Sequence, residues 1–550
     1  MNGWTMASAC WLLWLVAAGL TTSLASAATT ITDKHLSCDP SGTLPCPPLS
    51  TAPIVDFTPE RSVKRVRQPV HRLSKSYQEK YKLAVSRMKA LPASHPLSFT
   101  AQAAIHQAYC DGHYQYDATK LQDGDGAAQP FDVHASWIFA PWHRMYIYFY
   151  ERALAELVGD ETFALPYWGW DAPEGMVIPP LFRDASANNS LYNPHRNQAN
   201  LDKLVDLDYL SNRRPAPVNF DGPKDEKYME AVNSNLCTVY DQQIRSGKGA
   251  LNFLGGLPDT NRSASSGTLE SMAHITMHVW TGKAPNSTED KSTCALGRDG
   301  NYSCMNDMGF LGSAGRDPLF YSHHANVDRL WHIWSTTLRG GNGFNDTAWR
   351  HTSFVFFDGV RNPRRVRIKF RDVLDTRKLG YTYADVSEKI PLPWLKCNLT
   401  ALVSHDKGGG SPGKVAPVYP LTLKNGVVVE VPHVALPAAA PGQERELVID
   451  RIEYDPEEEN KFDVAINLPK EVATMVAPQY KEFAGSFSVV PSSVKGGGKL
   501  EGKITLDIDQ VLADIGVAGN ATSVDVVIVP RTPHEIKLYD APMIQNTYPN

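Results

Sequence analysis

Two histidines four residues apart, His274 and His278, do most to restrict how this chain can fold. Positions i and i+4 lie on one face of a helix, so both rings could bind one metal ion. The helical periodicity of residues 269–280 predicts that the pair lies on a helix. Such pairs also occur as capping or stacked rings, so the pair alone leaves a purely structural role open.

A second set of histidines lies earlier in the chain. His106 falls in a predicted helix over 99–110, and His143 in a predicted helix that begins at Pro141 and runs to about 157. His134 precedes His143 by nine residues, which would be the opposite face of one continuous helix. A helix break at Pro141 lets His134 approach from the preceding loop. Three imidazoles can therefore converge here as well.

The adjacent pair His323 and His324 follows a loop that begins with a proline, and it precedes a predicted helix over 326–338. Taken alone, the pair would also fit a structure in which one histidine is buried and the other lies at the surface. His324 could complete a three-imidazole site with the helical pair. Two such clusters between packed helices predict two metal ions in a helix-bundle core.

The ligand chemistry favours one metal. Imidazole suits Zn, Cu, Fe and Ni. The six histidines include no carboxylate or thiolate partner of the kind zinc enzymes use, and no Glu-x-x-His pair typical of di-iron bundles. Six neutral imidazoles serve both Cu(I) and Cu(II), so we predict a pair of copper ions that handles dioxygen.

The length of 550 residues exceeds one hydrophobic core, and a composition of 42% hydrophobic residues is that of a folded protein. We predict a mainly α catalytic domain over 28–395, with a four-helix-bundle core and long loops. A linker over 396–417 contains a Gly-rich run, and a C-terminal β-sandwich over 418–550 follows, where strand periodicity dominates. A net charge of −5 and a pI near 6.4 give no global electrostatic case for nucleic-acid binding.

The N-terminus carries an apolar run followed by Ala25-Ser26-Ala27, which predicts a secretory signal peptide over 1–27. The run is too short for a membrane span. Asn-x-Ser/Thr sequons favour a glycoprotein of the secretory pathway, in the vacuole, cell wall or apoplast rather than the plastid lumen. The sequons begin at Asn188, Asn261, Asn286, Asn301, Asn345, Asn398 and Asn520.

Without the leader the chain keeps seven cysteines, an odd number, so at least one thiol has another fate. Close spacing predicts disulfide bonds between Cys38 and Cys46 and between Cys294 and Cys304. The remaining cysteines are Cys110, Cys237 and Cys397.

Together these motifs resemble those of plant polyphenol oxidases, the tyrosinase and catechol oxidase family with a type-3 copper pair. The likeness extends over essentially the whole chain after the leader. It rests on His106-x-x-x-Cys110, Pro141-Trp-His143-Arg144, Pro166-Tyr-Trp-Gly-Trp-Asp171, His274-x-x-x-His278, Asp317-Pro through to Trp331, Tyr381-x-Tyr383, Pro393-Trp-Leu395 and Lys461-Phe-Asp-Val464.

The resemblance implies a role for each of these histidines. His323 would support the site without binding metal, and Cys110 would form a thioether bond with His134, which accounts for the odd thiol. Cys237 and Cys397 are then left as a candidate pair. The implied ligands are His106, His134 and His143 for the first copper and His274, His278 and His324 for the second.

The same resemblance implies oxidation of o-diphenols (catechols) to o-quinones, with dioxygen reduced to water. Ortho-hydroxylation of monophenols needs a base, and Glu270 matches a carboxylate that orients a water for that step. Alternatively, Glu270 serves only to stabilise the N-terminus of its helix through the helix dipole. Ile275 replaces a polar residue that would help to hold this water, which favours predominantly diphenol oxidation. Leu311 replaces a frequent phenylalanine over the second copper and eases substrate entry. Substrate choice stays open, with catechol oxidase favoured.

The C-terminal domain resembles one that keeps such enzymes latent until a protease cuts the linker. The expected substrates are small phenols and dioxygen. A haemocyanin-like protein that binds dioxygen with the same six histidines, without turnover, is the main alternative. A metal-free phenol-binding module would require all six histidines to be structural.

Overall fold

A computed structural model describes residues 30–38, 52–116, 129–210, 217–258, 263–282, 295–296, 302–303, 307–338, 343–385, 391–404, 415–492, 498–517, 519 and 521–548. The N-terminal part is mainly helical and the C-terminal part consists mainly of antiparallel strands. The predicted fold class is therefore confirmed. None of the described helices is long and apolar enough to span a bilayer.

The helices pack around one large apolar core, rich in tryptophan and tyrosine. π-Helical turns at Asp241–Arg245 and Trp334–Leu338 extend two of them. The α-helices are α1 (Lys75–Lys89), α2 (Phe99–Cys110), α3 (Phe139–Val158), α4 (Pro180–Arg183), α5 (Glu226–Tyr240), α6 (Ala250–Leu254), α7 (Thr268–Ser271), α8 (Ala273–Thr281), α9 (Pro318–Ile333), α10 (Thr347–His351), α11 (Phe370–Val373) and α12 (Asp509–Asp514).

Local signals explain where the central helices begin and end. The Ser98 hydroxyl accepts a hydrogen bond from the amide of Ala101 and caps α2. Helix α3 ends at Gly159, whose φ of 70° is the left-handed conformation that glycine adopts readily. It begins at Phe139, so Pro141 lies in its first turn and His134 in the loop before it.

The prediction of a loop directly before His324 is wrong. Helix α9 already begins at Pro318, with Asp317 as its N-cap accepting a hydrogen bond from the Leu319 amide. A proline at the first helical position lacks only an amide hydrogen that has no helical partner there. His323 and His324 therefore lie within the helix.

The strands form small sheets over the helical domain and two larger sheets in the C-terminal domain. Alternation in β10 buries Val366 and Ile368 and leaves the basic side chains outward, as predicted. The strands are β1 (Leu36–Cys38), β2 (Ile54–Asp56), β3 (Arg65–Arg67), β4 (Tyr114–Tyr116), β5 (Gln129–Pro130), β6 (Ser263–Ser265), β7 (Ala295–Leu296), β8 (Tyr302–Ser303), β9 (Ser353–Asp358), β10 (Arg364–Lys369), β11 (Tyr381–Tyr383), β12 (Leu421–Leu423), β13 (Val429–Ala435), β14 (Glu444–Tyr454), β15 (Asn460–Ile466), β16 (Phe483–Val489), β17 (Leu500–Asp507), β18 (Ser523–Pro530), β19 (Ile536–Leu538) and β20 (Met543–Thr547).

The C-terminal domain is a sandwich of two sheets. One has the order β13-β18-β15-β16, and the other β12-β19-β14-β17-β6, with β20 also paired to β14. Strand β6 comes from the helical part of the chain and pairs in parallel with β17, Ser263 opposite Glu501. One sheet therefore crosses from the N-terminal part into the C-terminal domain.

The cysteines are only partly within the described residues. Cys237 and Cys397 form a disulfide bond with an S–S distance of 2.07 Å. Cys38 is disulfide-bonded, but Cys46 lies outside the described residues. Cys294 and Cys304 also lie outside them, as do the predicted signal peptide and the sequons at Asn261, Asn286, Asn301 and Asn520; Asn188, Asn345 and Asn398 are exposed.

The first residues of the predicted linker are held in place. Cys397 carries the disulfide to α5, and Thr400 pairs with Tyr480 of the C-terminal domain. The amides of Leu402 and Val403 donate to the buried carboxylate of Glu482. Residues 405–414 lie outside the described residues.

A buried charge network joins α3 and α9. Asp328 accepts hydrogen bonds from Arg144, from Arg67 at 3.0 Å and from the Tyr381 hydroxyl at 2.6 Å. Burial alone would raise the pKa of Asp328, but Arg144 and Arg67 outweigh it and hold the pKa below its ordinary value. The helices that carry His143 and His324 are thus fixed to each other by paired charges.

Candidate metal centre

The six histidines of the two predicted sets come together between α2, α3, α8 and α9 and the loop before α3, and all are buried. The separations between ring centroids are 5.4 Å for His106 and His134, 5.0 Å for His134 and His143, 4.3 Å for His143 and His324, 5.1 Å for His324 and His274, and 4.7 Å for His274 and His278. The two sets are therefore neighbours, in contact through α3 and α9.

Hydrogen bonds orient three of these rings. In each of them Nδ1 lies at bonding distance from a backbone carbonyl that can only accept, so Nδ1 carries the proton and Nε2 keeps its lone pair. The pairs are His143 with Phe139 at 2.9 Å, His274 with Glu270 at 3.1 Å and His278 with Met308 at 2.9 Å.

Several ring nitrogens have no hydrogen-bond partner among the described residues although they are buried. These are Nε2 of His106, His134 and His143 and both ring nitrogens of His324. A buried polar atom without a partner is costly in a folded protein. A metal ion would satisfy these nitrogens, so the donor set fits a metal centre.

Burial also controls the charge of these rings. It lowers the pKa of His278 to about 3 and, together with the neighbouring imidazoles, lowers the pKa values of His106, His143, His274 and His324 well below the ordinary range. The rings are therefore neutral at physiological pH, which is the form that binds metals.

His323 lies closer to the other histidines than a remote supporting residue would. One ring nitrogen from each of His274, His278, His323 and His324 falls within 4.8 Å of the others. The Trp170 indole donates to Nδ1 of His323 at 3.1 Å. Nδ1 of His323 is thus occupied, as are those of His274 and His278, and the buried Nε2 of His323 has no hydrogen-bond partner among the described residues.

Cys110 lies against the first set. Its Sγ is 3.6 Å from Nδ1 of His106, and it falls within 4.8 Å of a ring nitrogen of His134. Burial, helped by the charge of Asp132, raises the pKa of the Cys110 thiol well above its ordinary value. Cys110 is a free cysteine in this structure.

Glu270 occupies the short helix α7 and its side chain is buried. Its Oε1 accepts a hydrogen bond from the Ala135 amide at 2.7 Å, and its Oε2 has no partner among the described residues. Burial raises the pKa of Glu270 well above the ordinary value. The bonded oxygen fixes the side chain, and the other is left for a ligand or water.

A cavity of about 160 Å³ lies beside the histidines, between the two domains. The N-terminal part contributes His134, Glu270, His274, Ile275 and Leu311 to its wall. The C-terminal domain contributes a wall of its own, and that wall includes Tyr454, Phe487, Val490 and Lys503. A molecule next to the histidines would therefore touch both domains.

Val490 closes the apolar side of this cavity. It packs in one buried cluster with Cys110, Ile275 and Leu311. Next to it, the Leu311 amide donates to the Pro491 carbonyl at 2.9 Å. The sequence shows no sign of this contact, because Val490 lies far away along the chain in a strand-rich domain.

Other contacts hold the two domains together. Arg245 donates to the Asp514 carboxylate at 2.8 Å and to the Phe483 carbonyl at 2.7 Å, and its side chain is fully buried. Lys461 forms an ion pair with Asp208 in which both side chains are buried. The C-terminal domain is thus docked through charged groups shielded from water as well as through β6.

Three family models match the chain. The common central domain of tyrosinase matches residues 96–337, which include all six histidines. The polyphenol oxidase middle domain matches residues 343–400, and the chloroplastic polyphenol oxidase C-terminal domain matches residues 419–542. These matches cover both the helical part and the β-sandwich.

Characterised relatives and solved structures agree with these models. Chloroplastic polyphenol oxidase of Vitis vinifera is 38% identical over 519 residues, which cover 90% of this chain and 77% of the relative. Latent apple tyrosinase has a TM-score of 0.74 and 32% identity over 90% of this chain and all of that one. Latent aurone synthase, also a polyphenol oxidase, has a TM-score of 0.78 and 29% identity and covers 96% of this chain and all of its own.

The active form of aurone synthase, described with a copper B, covers only 65% of this chain but 99% of its own length. Its TM-score is 0.52 and its identity 34%. The latent form of the same enzyme therefore matches a much longer part of this chain than the active form does.

The relatives correct one expectation from the sequence. Their names describe them as chloroplastic, so a plastid location is indicated and the predicted secretory destination is wrong. An apolar run before Ala25-Ser26-Ala27 predicts a cleavable leader, but such a pattern does not identify the membrane that a leader would cross.

Proposed function

We propose that the clustered histidines hold a pair of copper ions, because the chain belongs to the polyphenol oxidase family and carries the C-terminal domain of the latent form. Members of this family are copper-dependent enzymes that oxidise phenols. The observation that carries this proposal is the set of buried, neutral and unpartnered imidazole nitrogens beside one cavity. The proposed ligands are His106, His134 and His143 for one copper and His274, His278 and His324 for the other.

When bound, the copper pair supplies the redox chemistry that couples phenol oxidation to the reduction of dioxygen. Burial keeps five of the proposed ligand rings neutral, and hydrogen bonds from Nδ1 to backbone carbonyls orient the rings of His143, His274 and His278. The apolar side chains of Ile275 and Leu311 shape the space for an aromatic ring. We propose that o-diphenols are oxidised to o-quinones in this cavity.

Metal analysis combined with oxygen uptake tests this function. We expect two copper ions per chain and oxygen consumption that depends on added catechol. Reversible oxygen binding without consumption would instead support the haemocyanin-like alternative, which the names of the relatives do not favour. A copper-free protein that still binds phenols would support the metal-free module.

We extend the proposal to a thioether bond between Cys110 and His134, in which the Sγ–H bond and a ring C–H bond of His134 would be lost in a two-electron oxidation with dioxygen as the oxidant. The short separation between Sγ and the His134 ring and the burial of both groups support it. The bond would keep the His134 ring in one orientation. Peptide mapping of protein expressed with copper should find both residues in one cross-linked fragment, and separate peptides would contradict the bond.

Glu270 is proposed as the base that assists monophenol hydroxylation. The Glu270→Gln variant keeps an oxygen for the Ala135 amide but cannot accept a proton from water, so we expect the ratio of monophenol to catechol turnover to fall about a hundredfold. Ile275→Asn, in the same wall, should raise this ratio by supplying a polar group. Initial rates with a monophenol and the matching catechol measure the ratio, and an unchanged ratio in Glu270→Gln would refute the role.

Val490 is proposed as the residue that keeps the intact chain latent. Truncation to alanine opens the apolar side of the cavity next to Leu311, so we expect Val490→Ala to raise catechol turnover of the uncut protein several-fold. Val429→Ala is the matched control, because Val429 packs against the interior of the C-terminal sandwich and does not line the cavity. Equal activation by both variants would show that general loosening of the domain, not the contact of Val490, is responsible.

Proteolytic activation is proposed to occur within residues 405–414. The residues just before this segment are held by the disulfide bond of Cys397 and by Glu482, so a protease has less access to them. The longer match of the latent aurone synthase compared with its active form supports removal of the C-terminal domain. Limited proteolysis followed by mass analysis of the fragments would locate the cut.

A further inference from the structure

Asp132 lies two residues before His134 and is bonded to it twice. Its Oδ1 accepts a hydrogen bond from the His134 amide at 2.8 Å and lies 2.9 Å from Nδ1 of the His134 ring. One oxygen thus binds both the backbone and the ring of the same residue. The carboxylate is fixed in direction, and its charge cannot turn away from the site.

Asp132 also lines the cavity. The Asp132 side chain is 44% exposed, whereas that of His134 is only 5% exposed, and both line the cavity wall. The charge of Asp132 also acts across the cavity. Burial is the main cause of the raised pKa values of Glu270 and Tyr454, and the charge of Asp132 raises both pKa values further. A charged substrate in the same space would experience the same field.

In the described cavity wall, no Lys or Arg side chain from the N-terminal part of the chain balances the charge of Asp132. Within the described part of the cavity wall, the charged side chains of the N-terminal part are all acidic: Asp111, Asp132 and Glu270. Asp111 is paired with His113, and Glu270 is buried with a raised pKa. Asp132 is the exposed one of the three.

The single basic residue in the described wall, Lys503, belongs to the C-terminal domain and lies 3.4 Å from Asp450. Its charge is therefore shared with another carboxylate, and it would leave the cavity together with the C-terminal domain. Without Lys503, the charged side chains of the described wall are all acidic.

We propose that Asp132 is a specificity-determining residue that favours catechols with a cationic amine side chain over catechols with a carboxylate. This inference rests on the proposed function, because it concerns the substrate of the same cavity. An amine within a few ångström of Asp132 is attracted and a carboxylate is repelled, while a neutral catechol feels neither force. In a partly hydrated cavity one such charge changes kcat/KM by about tenfold.

The test uses three catechols of similar size on the copper-loaded full-length chain after proteolytic cleavage within residues 405–414 and dilution: 4-(2-aminoethyl)catechol, 4-ethylcatechol and 3-(3,4-dihydroxyphenyl)propanoate. We expect kcat/KM to fall in that order, and Asp132→Asn to reduce the ratio of amine to carboxylate by about a hundredfold, with about tenfold from each substrate charge. The ratio is internal to each preparation, so it does not depend on the fraction of active enzyme. A merely structural role of Asp132 would lower all three values together and leave the ratio intact.

Salt dependence of the unmodified enzyme provides a second readout, which stands even if Asp132→Asn fails to fold or bind copper. Raising the salt from about 0.02 M to about 0.5 M screens the charge, so the amine-to-carboxylate ratio should fall toward one. An amine-to-carboxylate ratio that changes neither with salt nor with the Asp132→Asn substitution overturns the proposal. Failure to oxidise the neutral 4-ethylcatechol would instead contradict the proposed function itself.

Discussion

Replacing His278 with alanine is expected to lower catechol turnover by more than about a hundredfold and to reduce the copper content from two ions per chain to about one. Loss of an outer partner of a metal ligand already costs about 10- to 100-fold in affinity or activity, and loss of a ligand removes a bond to the metal itself. The His278 ring is fully buried, and its Nδ1 hydrogen bond to Met308 points the other nitrogen toward His274. Metal analysis and oxygen uptake on the same preparation measure both effects.

His351→Ala is the matched control, because the His351 ring bonds only at the surface, to the Thr347 carbonyl and to Arg371. We expect it to keep both copper ions and full turnover. If His278→Ala retained two copper ions and normal turnover, the assignment of His278 as a ligand would be wrong. Loss of both ions would show that the two sites fill cooperatively.

Replacing Asp328 with alanine is expected to lower the free energy of unfolding by about 3–5 kcal/mol. The substitution leaves the buried guanidinium groups of Arg67 and Arg144 without their shared carboxylate. The hydroxyls of Tyr381 and Tyr383 lose the same acceptor. Denaturant unfolding followed by tryptophan fluorescence measures the change.

Glu161→Ala is the comparison, because the Glu161–Lys64 ion pair is exposed to solvent and should contribute little. The Asp328 network also predicts a pH dependence. Since its pKa is lower in the folded state than the ordinary value of 3.8, the network stabilises the fold above that value and its contribution is lost as the pH falls through the lowered pKa. An Asp328→Ala protein as stable as the original chain would contradict this account.

Local sequence signals predicted much of the helical core. Helix α2 has the predicted bounds because a serine caps its start and Asp111-Gly112 follows its end. The positions of His134, before a helix, and of His274 and His278, on one helix face, also follow from spacing. The predicted start of α9 at residue 326 is too late, because Pro318 is a favourable first helical residue and not part of a loop.

Features that depend on docking of the C-terminal domain could not be predicted in this way. The contact of Val490 with Leu311 depends on how two separate domains pack, and no spacing along the chain encodes it. The pairing of β6 with β17 is equally remote. The position of Asp132 did have a local signal, since an aspartate often accepts a hydrogen bond from the amide two residues further on.

The sheet that crosses the domain boundary changes what a cut in the linker can accomplish. Strand β6 stays paired with β17 after such a cut, and Arg245 stays bound to Asp514. Cleavage removes only the tether, so the C-terminal domain becomes a separate inhibitor with its own dissociation constant. By mass action, cut enzyme would remain mostly inhibited at high concentration and gain activity on dilution. The protease would thus make the inhibition reversible, and release of the domain would be a distinct second step.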